Sequence, residues 1–223
     1  IFMNCYSYVY GNHKYRRYAA LITILLGTGM RIGEALGLTW NDIDFKNNCI
    51  SVDHSLSYKS GEHDGCKYHV SSTKTKAGIR TIPMFQDVRT TLQNEKRKQK
   101  RLGKSDFTVD GYTDFIFLNS AGKVFTPSFI FDAIQNIVSD YNRDEIVLSK
   151  KEEREPCFLP KISAHIFRHT FCTRLCENEP NLKIIQEVMG HKNIRTTMNV
   201  YSEATEKAKQ TSFENLEGKI KLK

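Results

Sequence analysis

The chain has 223 residues, with 33 Lys and Arg against 25 Asp and Glu, a net charge of +8, and 39% hydrophobic and 26% charged residues. This balance excludes a disordered tail or a collagen-like repeat, and the length suffices to bury a core without disulfides. The best apolar run, Ala19 to Leu26, stops at Gly27. That is far short of the ~18–20 residues that cross a bilayer, and no cleavage-site pattern follows, so no membrane span or signal peptide is expected.

In chain order, Lys14 to Leu26 reads as a helix, with Tyr18, Leu21, Ile22, Leu25 and Leu26 at helical spacing and Gly27-Thr28-Gly29 closing it. A second, short helix is expected over Arg31 to Leu38. The pattern then changes to period two. Strands are expected around Ile50 to Val52, with Ser55-Leu56 a weaker piece, then at Tyr68 to Ser71 and Ile79 to Pro83. Thr73 to Gly78 reads as the turn joining the last two, in one small antiparallel sheet of about three strands. A charged helix follows over Gln86 to Arg101. Another begins at Pro127 and runs to Tyr141, and the polar Asn142 to Glu155 reads as a surface excursion. Ser163 is an N-cap signal for a helix to about Glu177; Pro180 to Met189 is the next, closed by Gly190. One or two helices fill Asn193 to Asn215. The fold class is α+β, mainly α, with a small antiparallel sheet inserted early, in a single domain over residues 1–223.

The six cysteines, Cys5, Cys49, Cys66, Cys157, Cys172 and Cys176, lack paired C-x-x-C spacing, which predicts reduced thiols in a cytosol. The basic excess points first to a nucleic acid partner. The residues that carry chemistry concentrate late in the chain. His165 and Arg168 are three apart on one expected helix, His191 follows Gly190 at a helix end, and Tyr201 lies ten residues on. Imidazoles, a guanidinium and a phenol converging on one place suit a phosphate under attack. Arginine binds non-bridging oxygens in bidentate fashion, histidine donates hydrogen bonds or moves a proton, and tyrosine serves as a covalent nucleophile.

Taken in order, Arg31 within Gly29-Met30-Arg31-Ile32-Gly33-Glu34, His165-x-x-Arg168 continued by His169-Thr170, Met189-Gly190-His191, and Tyr201 resemble the tyrosine recombinase (phage integrase) family. The Thr73-Lys74-Thr75-Lys76 turn is similar to the family's catalytic-lysine turn. The resemblance runs from about Tyr15 to Tyr201. The step from His191 to Tyr201 looks more like integrases of phages and conjugative transposons than Xer-type resolvases.

The resemblance implies a site-specific recombinase acting on double-stranded DNA through a 3′-phosphotyrosyl bond. Arg31 and Arg168 would clamp the scissile phosphate, and His165 and His191 would hydrogen-bond it. Lys74, or Lys76 as the alternative, would protonate the leaving 5′ hydroxyl, and Tyr201 would attack. Neither cofactor nor metal is expected. A free tyrosine has a pKa of about 10, and neighbouring positive charge favours its phenolate, which fits the cationic company. The family also implies a tetramer on DNA, a monomer without it, and N-terminal DNA-binding domains that this chain does not include.

Other readings stay open beside this one. An Xer-type resolvase shares the motifs, and a non-catalytic accessory protein shares the fold. A zinc site from His165, His169, Cys172 and Cys176 has chelating spacing but sets Arg168 beside the cation. Glu34 reads as a buried structural partner, and the Lys96-Arg97-Lys98 run reads equally as a solvated face or as a phosphate track.

Overall fold

The computed structural model describes residues 2–60, 65–72, 78–103 and 105–216, without the side chains of 2, 3, 60 and 207–216. Eight α-helices and five strands are described: α1 (Phe2–Gly11), α2 (Ala19–Thr28), α3 (Ile32–Gly37), β1 (Ile43–Asp44), β2 (Cys49–Val52), β3 (His54–Ser60), β4 (Cys66–Ser72), β5 (Arg80–Pro83), α4 (Gln86–Leu102), α5 (Pro127–Lys151), α6 (Ala164–Asn178), α7 (Leu182–Met189) and α8 (Ile194–Leu216). None of these helices is long and apolar enough to cross a membrane.

The centre is α2. Its residues are apolar nearly all round, and Leu21, Ile22, Ile24 and Leu25 are all buried, as expected for a helix with neighbours on every side. It packs against α1, α3, α4 and α6. It ends at Gly29, whose φ of 62° is left-handed and whose N–H donates to the Leu25 carbonyl at 3.2 Å. A Cβ on Gly29 would also come within 2.4 Å of Phe171 Cδ1 on α6. Conformation and packing therefore both require glycine, and they fix where Arg31 emerges two residues later.

The expected single sheet is two sheets. Strands β1, β2 and β5 form one, and β3 pairs only with β4 in the other. In the first, Ile50 faces Ile82 and Val52 faces Arg80, so Arg80 and Ile82 occupy inward positions. The expected pairing of the last two strands is not made: β4 pairs with β3, and β5 finds its antiparallel partner in β2. The turn expected at 73–78 lies, but for Gly78, outside the described residues.

Two further expectations need correction. Helix α1 was not anticipated; it packs on α5, where the Tyr8 hydroxyl donates to Asp144 at 2.6 Å. Nearby, Lys14 and the Tyr15 hydroxyl both donate to Asp140, at 2.7 and 2.5 Å. And α5 continues through the supposed excursion to Lys151. Its polar residues there bind the returning chain: Asn142 exchanges two hydrogen bonds with the Leu159 backbone, and Glu145 pairs with Arg154 and accepts from the Cys157 N–H. Polarity in this segment reflects partners, not exposure of a loop.

Helix α6 begins as expected, with the Ser163 hydroxyl accepting from the Ile166 N–H. Most of the apolar core is one cluster around α2, α5 and the first sheet. A smaller cluster joins Phe171, Cys172 and Cys176 of α6 to Ile185 and Met189 of α7 and Ala204 of α8. The ends of α2 and α7 meet α6 between the two.

Candidate active site

Three arginines are gathered by the last turn of α7. Arg80 Nε donates to the Val188 carbonyl at 2.8 Å, Arg168 Nη2 to the Met189 carbonyl at 2.5 Å, and Arg31 Nη2 to the Gly190 carbonyl at 3.3 Å. The last carbonyls of a helix lack intrahelical partners and carry the negative end of its dipole, so they favour cations. Gly190, at φ 63°, caps the helix and turns the chain towards His191. Arg168 is 5% exposed. Its Nη1 donates to the Gly29 carbonyl at 2.6 Å, so one guanidinium ties the end of α2 to the end of α7.

Glu34 lies beneath the cluster, buried as expected. Its carboxylate accepts from Arg80 at 3.2 and 2.8 Å, from the Arg31 guanidinium at 2.8 Å and from the Arg31 N–H at 2.9 Å. Burial pushes its pKa up, but Arg80, and after it Arg31, outweigh that, and the group lies below the ordinary carboxylate value. The two arginines it bridges differ in exposure: the Arg80 side chain is 4% exposed and that of Arg31 is 49%.

Burial, then the nearby charge of Arg31, brings Arg168 down to about 10, so it stays charged at neutral pH. Three guanidiniums less one carboxylate leave two net positive charges, with Arg31 open to solvent. Such a net positive charge, partly open to solvent, suits an anion.

His191 belongs to the same place. Burial, then Arg168, Arg31 and Arg80, push its pKa down to about 4, so its ring is neutral at pH 7. Its N–H donates to the Gln186 carbonyl at 3.1 Å, and its carbonyl accepts from Gln186 Nε2 at 3.0 Å. Its Nδ1 lies 3.0 Å from the hydroxyl oxygen of Thr197.

Of the residues singled out in the sequence, the structure thus brings together Arg31, Arg168 and His191. His165 is exposed in the first turn of α6. Tyr201 lies on α8, partly buried against the smaller apolar cluster, one turn beyond Thr197. Its hydroxyl has no hydrogen-bond partner among the described residues. Lys74 and Lys76 fall outside the described residues.

Arg80 and Thr197 were not anticipated. The signal for Arg80 was present, since a strand alternation that buries Ile82 also buries residue 80. Nothing local marks Thr197. The basic run of α4 is partly engaged within the chain: Lys96 lies over the Trp40 and Phe45 rings, and Lys98 pairs with Glu95.

Among the described residues, the one group of three or more potential metal ligands is Asp42, Asp53 and His54. Its histidine already has Nε2 on the Gly37 carbonyl at 2.8 Å. His165, His169, Cys172 and Cys176 do not form such a group. His169 is exposed beside Thr173, while both cysteines are buried and their thiols pushed up.

The model of the phage integrase family matches residues 2–208. The chain belongs to that family. This integrase-family chain is 36% identical over 188 residues to the transposase from transposon Tn916 of Enterococcus faecalis, covering 82% of the chain and 42% of the relative. It is 30% identical over 210 residues to a XerC-like tyrosine recombinase of Caldanaerobacter subterraneus, covering 91% of the chain and 50% of the relative. Among solved structures, the Tn1549 transposon integrase in complex with transposon right end DNA superposes with a TM-score of 0.79 at 35% identity, covering 97% of this chain and 64% of that one. The XerA recombinase shares the fold, with a TM-score of 0.64 at 19% identity. The chain spans about half the length of the curated relatives it matches.

Proposed function

We propose that this chain is the catalytic domain of a site-specific DNA recombinase that cleaves and rejoins double-stranded DNA through a 3′-phosphotyrosyl bond, integrating or excising a mobile element. The observation that carries the reading is the cluster of Arg31, Arg80 and Arg168 on three consecutive carbonyls at the end of α7 and its cap, with neutral His191 beside it. Family membership and similarity to an integrase solved on transposon DNA support the choice of DNA as substrate.

In this reading Arg31 and Arg168 grip the non-bridging oxygens of the scissile phosphate. Charge that grows on those oxygens in the transition state meets guanidiniums already in place. His191, neutral, donates one hydrogen bond to the phosphate, and His165 approaches from the first turn of α6. The Tyr201 oxygen attacks phosphorus as its proton passes to the His165 imidazole. The bond to the 5′ oxygen breaks, and Lys74, or Lys76, protonates that oxygen. The phosphodiester is conserved as a phosphotyrosine ester, so a 5′ hydroxyl from another strand reverses the step without an external energy source. The family resemblance adds a tetramer on DNA, a monomer without it, and action in the bacterial cytoplasm.

The test is covalent capture. The protein is incubated with a nicked duplex carrying a candidate attachment site, in EDTA, and run on a denaturing gel beside Tyr201→Phe. A shifted band that needs Tyr201 and ignores EDTA is expected. If no band forms even with N-terminal DNA-binding domains fused to the chain, the accessory-protein reading replaces this one; cleavage abolished by EDTA would replace it with a metal-dependent nuclease.

A further inference from the structure

Thr197 is fully buried in the first turn of α8, and its oxygen lies 3.0 Å from Nδ1 of His191. Threonines inside helices usually donate their hydroxyl to the carbonyl four residues back. In this chain Thr23, Thr28, Thr170, Thr173 and Thr205 all do so. Thr197 does not. The residue four back, Asn193, precedes the helix, and its carbonyl accepts from the Thr196 N–H at 3.1 Å. A buried hydroxyl proton without an acceptor is costly, and among the described residues the acceptor in reach is Nδ1 of His191.

We propose that Thr197 is a positioning residue: its hydroxyl donates to Nδ1 of His191, holding the neutral imidazole with its proton on Nε2 and so presenting a donor for a phosphate oxygen. The role as phosphate donor rests on the function proposed above; the tautomer does not. The same contact links the helix of Tyr201 to the ring, because Thr197 and Tyr201 are four residues apart on α8. The backbone of His191 is already fixed at both its N–H and its carbonyl by Gln186. The charged groups that bear on the ring, Arg168, Arg31 and Arg80, all oppose a second proton, so the choice lies between the two neutral forms.

The experiment is a long-range proton–nitrogen NMR correlation on the 15N-labelled chain at pH 7 without DNA, with the His191 signals assigned by their loss in His191→Gln. The expected result is an unprotonated Nδ1 and a protonated Nε2 in the wild type and in Thr197→Ser, and a mixture of tautomers in Thr197→Val. A proton on Nδ1 in the wild type overturns the proposal, as does a Thr197→Val spectrum identical to wild type. Should the valine variant not fold, the wild-type tautomer alone decides. In the capture assay, Thr197→Val should form the phosphotyrosyl band about tenfold more slowly, the weight of one neutral hydrogen bond, with unchanged affinity for the duplex. Thr197→Ser should restore the rate, and equal slowing in both variants overturns the proposal. Absence of any Tyr201-dependent band even with N-terminal DNA-binding domains fused to the wild type removes the proposed function and leaves the tautomer result standing.

Discussion

Replacing Glu34 by Gln tests whether the arginine cluster is held together from below. The substitution keeps the shape but removes the charge, and it turns one acceptor into an amide donor facing guanidinium donors. Glu34 is 3% exposed and accepts four hydrogen bonds, three of them from guanidiniums. Removing one partner of a buried ionic network costs ~3–5 kcal/mol, because the remaining charges stay buried and uncompensated. With a urea slope of ~2–3 kcal/mol per molar, that moves the unfolding midpoint down by ~1–2 M. Arg80→Met should lose a similar amount, since it strips both Glu34 and the Val188 carbonyl. Arg31→Ala should lose no more than ~1 kcal/mol, because its half-exposed pair is screened by water. The assay is urea unfolding of all four proteins followed by circular dichroism. Equal losses for Arg31→Ala and Arg80→Met, or a Glu34→Gln loss under ~1 kcal/mol, would refute the division into a buried brace and an exposed phosphate grip. The same division predicts that Arg31→Ala abolishes covalent capture in a folded protein.

Three further outcomes are expected. Tyr201→Phe removes a hydroxyl that has no partner among the described residues, so its thermal midpoint should match wild type, within ~0.5 kcal/mol, while the covalent band disappears. Gly29→Ala places a Cβ 2.4 Å from Phe171 in a left-handed residue, and should cost ~2–5 kcal/mol in denaturant unfolding from overpacking and conformational strain together. His191 is held near 4, below its ordinary 6.5, so the unfolded chain binds more protons between those values. Its contribution is therefore present above pH 6.5 and is lost as pH falls towards 4. The expected loss is ~1–2 kcal/mol once the partly exposed ring is discounted for screening, and the difference between wild type and His191→Gln across that window measures it.

Local signals fixed most of the helices and the family. The all-apolar stretch from Ala19 made a central helix, Gly29 and Gly190 closed two helices in the left-handed conformation, and Ser163 opened a third. These depend on neighbours within a few residues, so they are legible in one dimension. The polar stretch from Asn142 misled because sequence shows polarity but not partners: Asn142 and Glu145 use theirs on a chain segment that returns to them. Strand pairing failed for a related reason. β5 lies closer in sequence to β4 but pairs with β2, whose Ile50 and Val52 continue the same buried face.

The motifs named Arg31, Arg168 and His191, and their residue types already implied a phosphate. What the motifs did not contain is the device that assembles them. Met189 and Gly190 belong to a motif, but what they and Val188 supply is backbone: their carbonyls set three guanidiniums, because a helix end leaves acceptors that only tertiary contacts fill. Arg80 and Thr197 act through Glu34 and His191, and their importance arises from positions that folding alone makes adjacent.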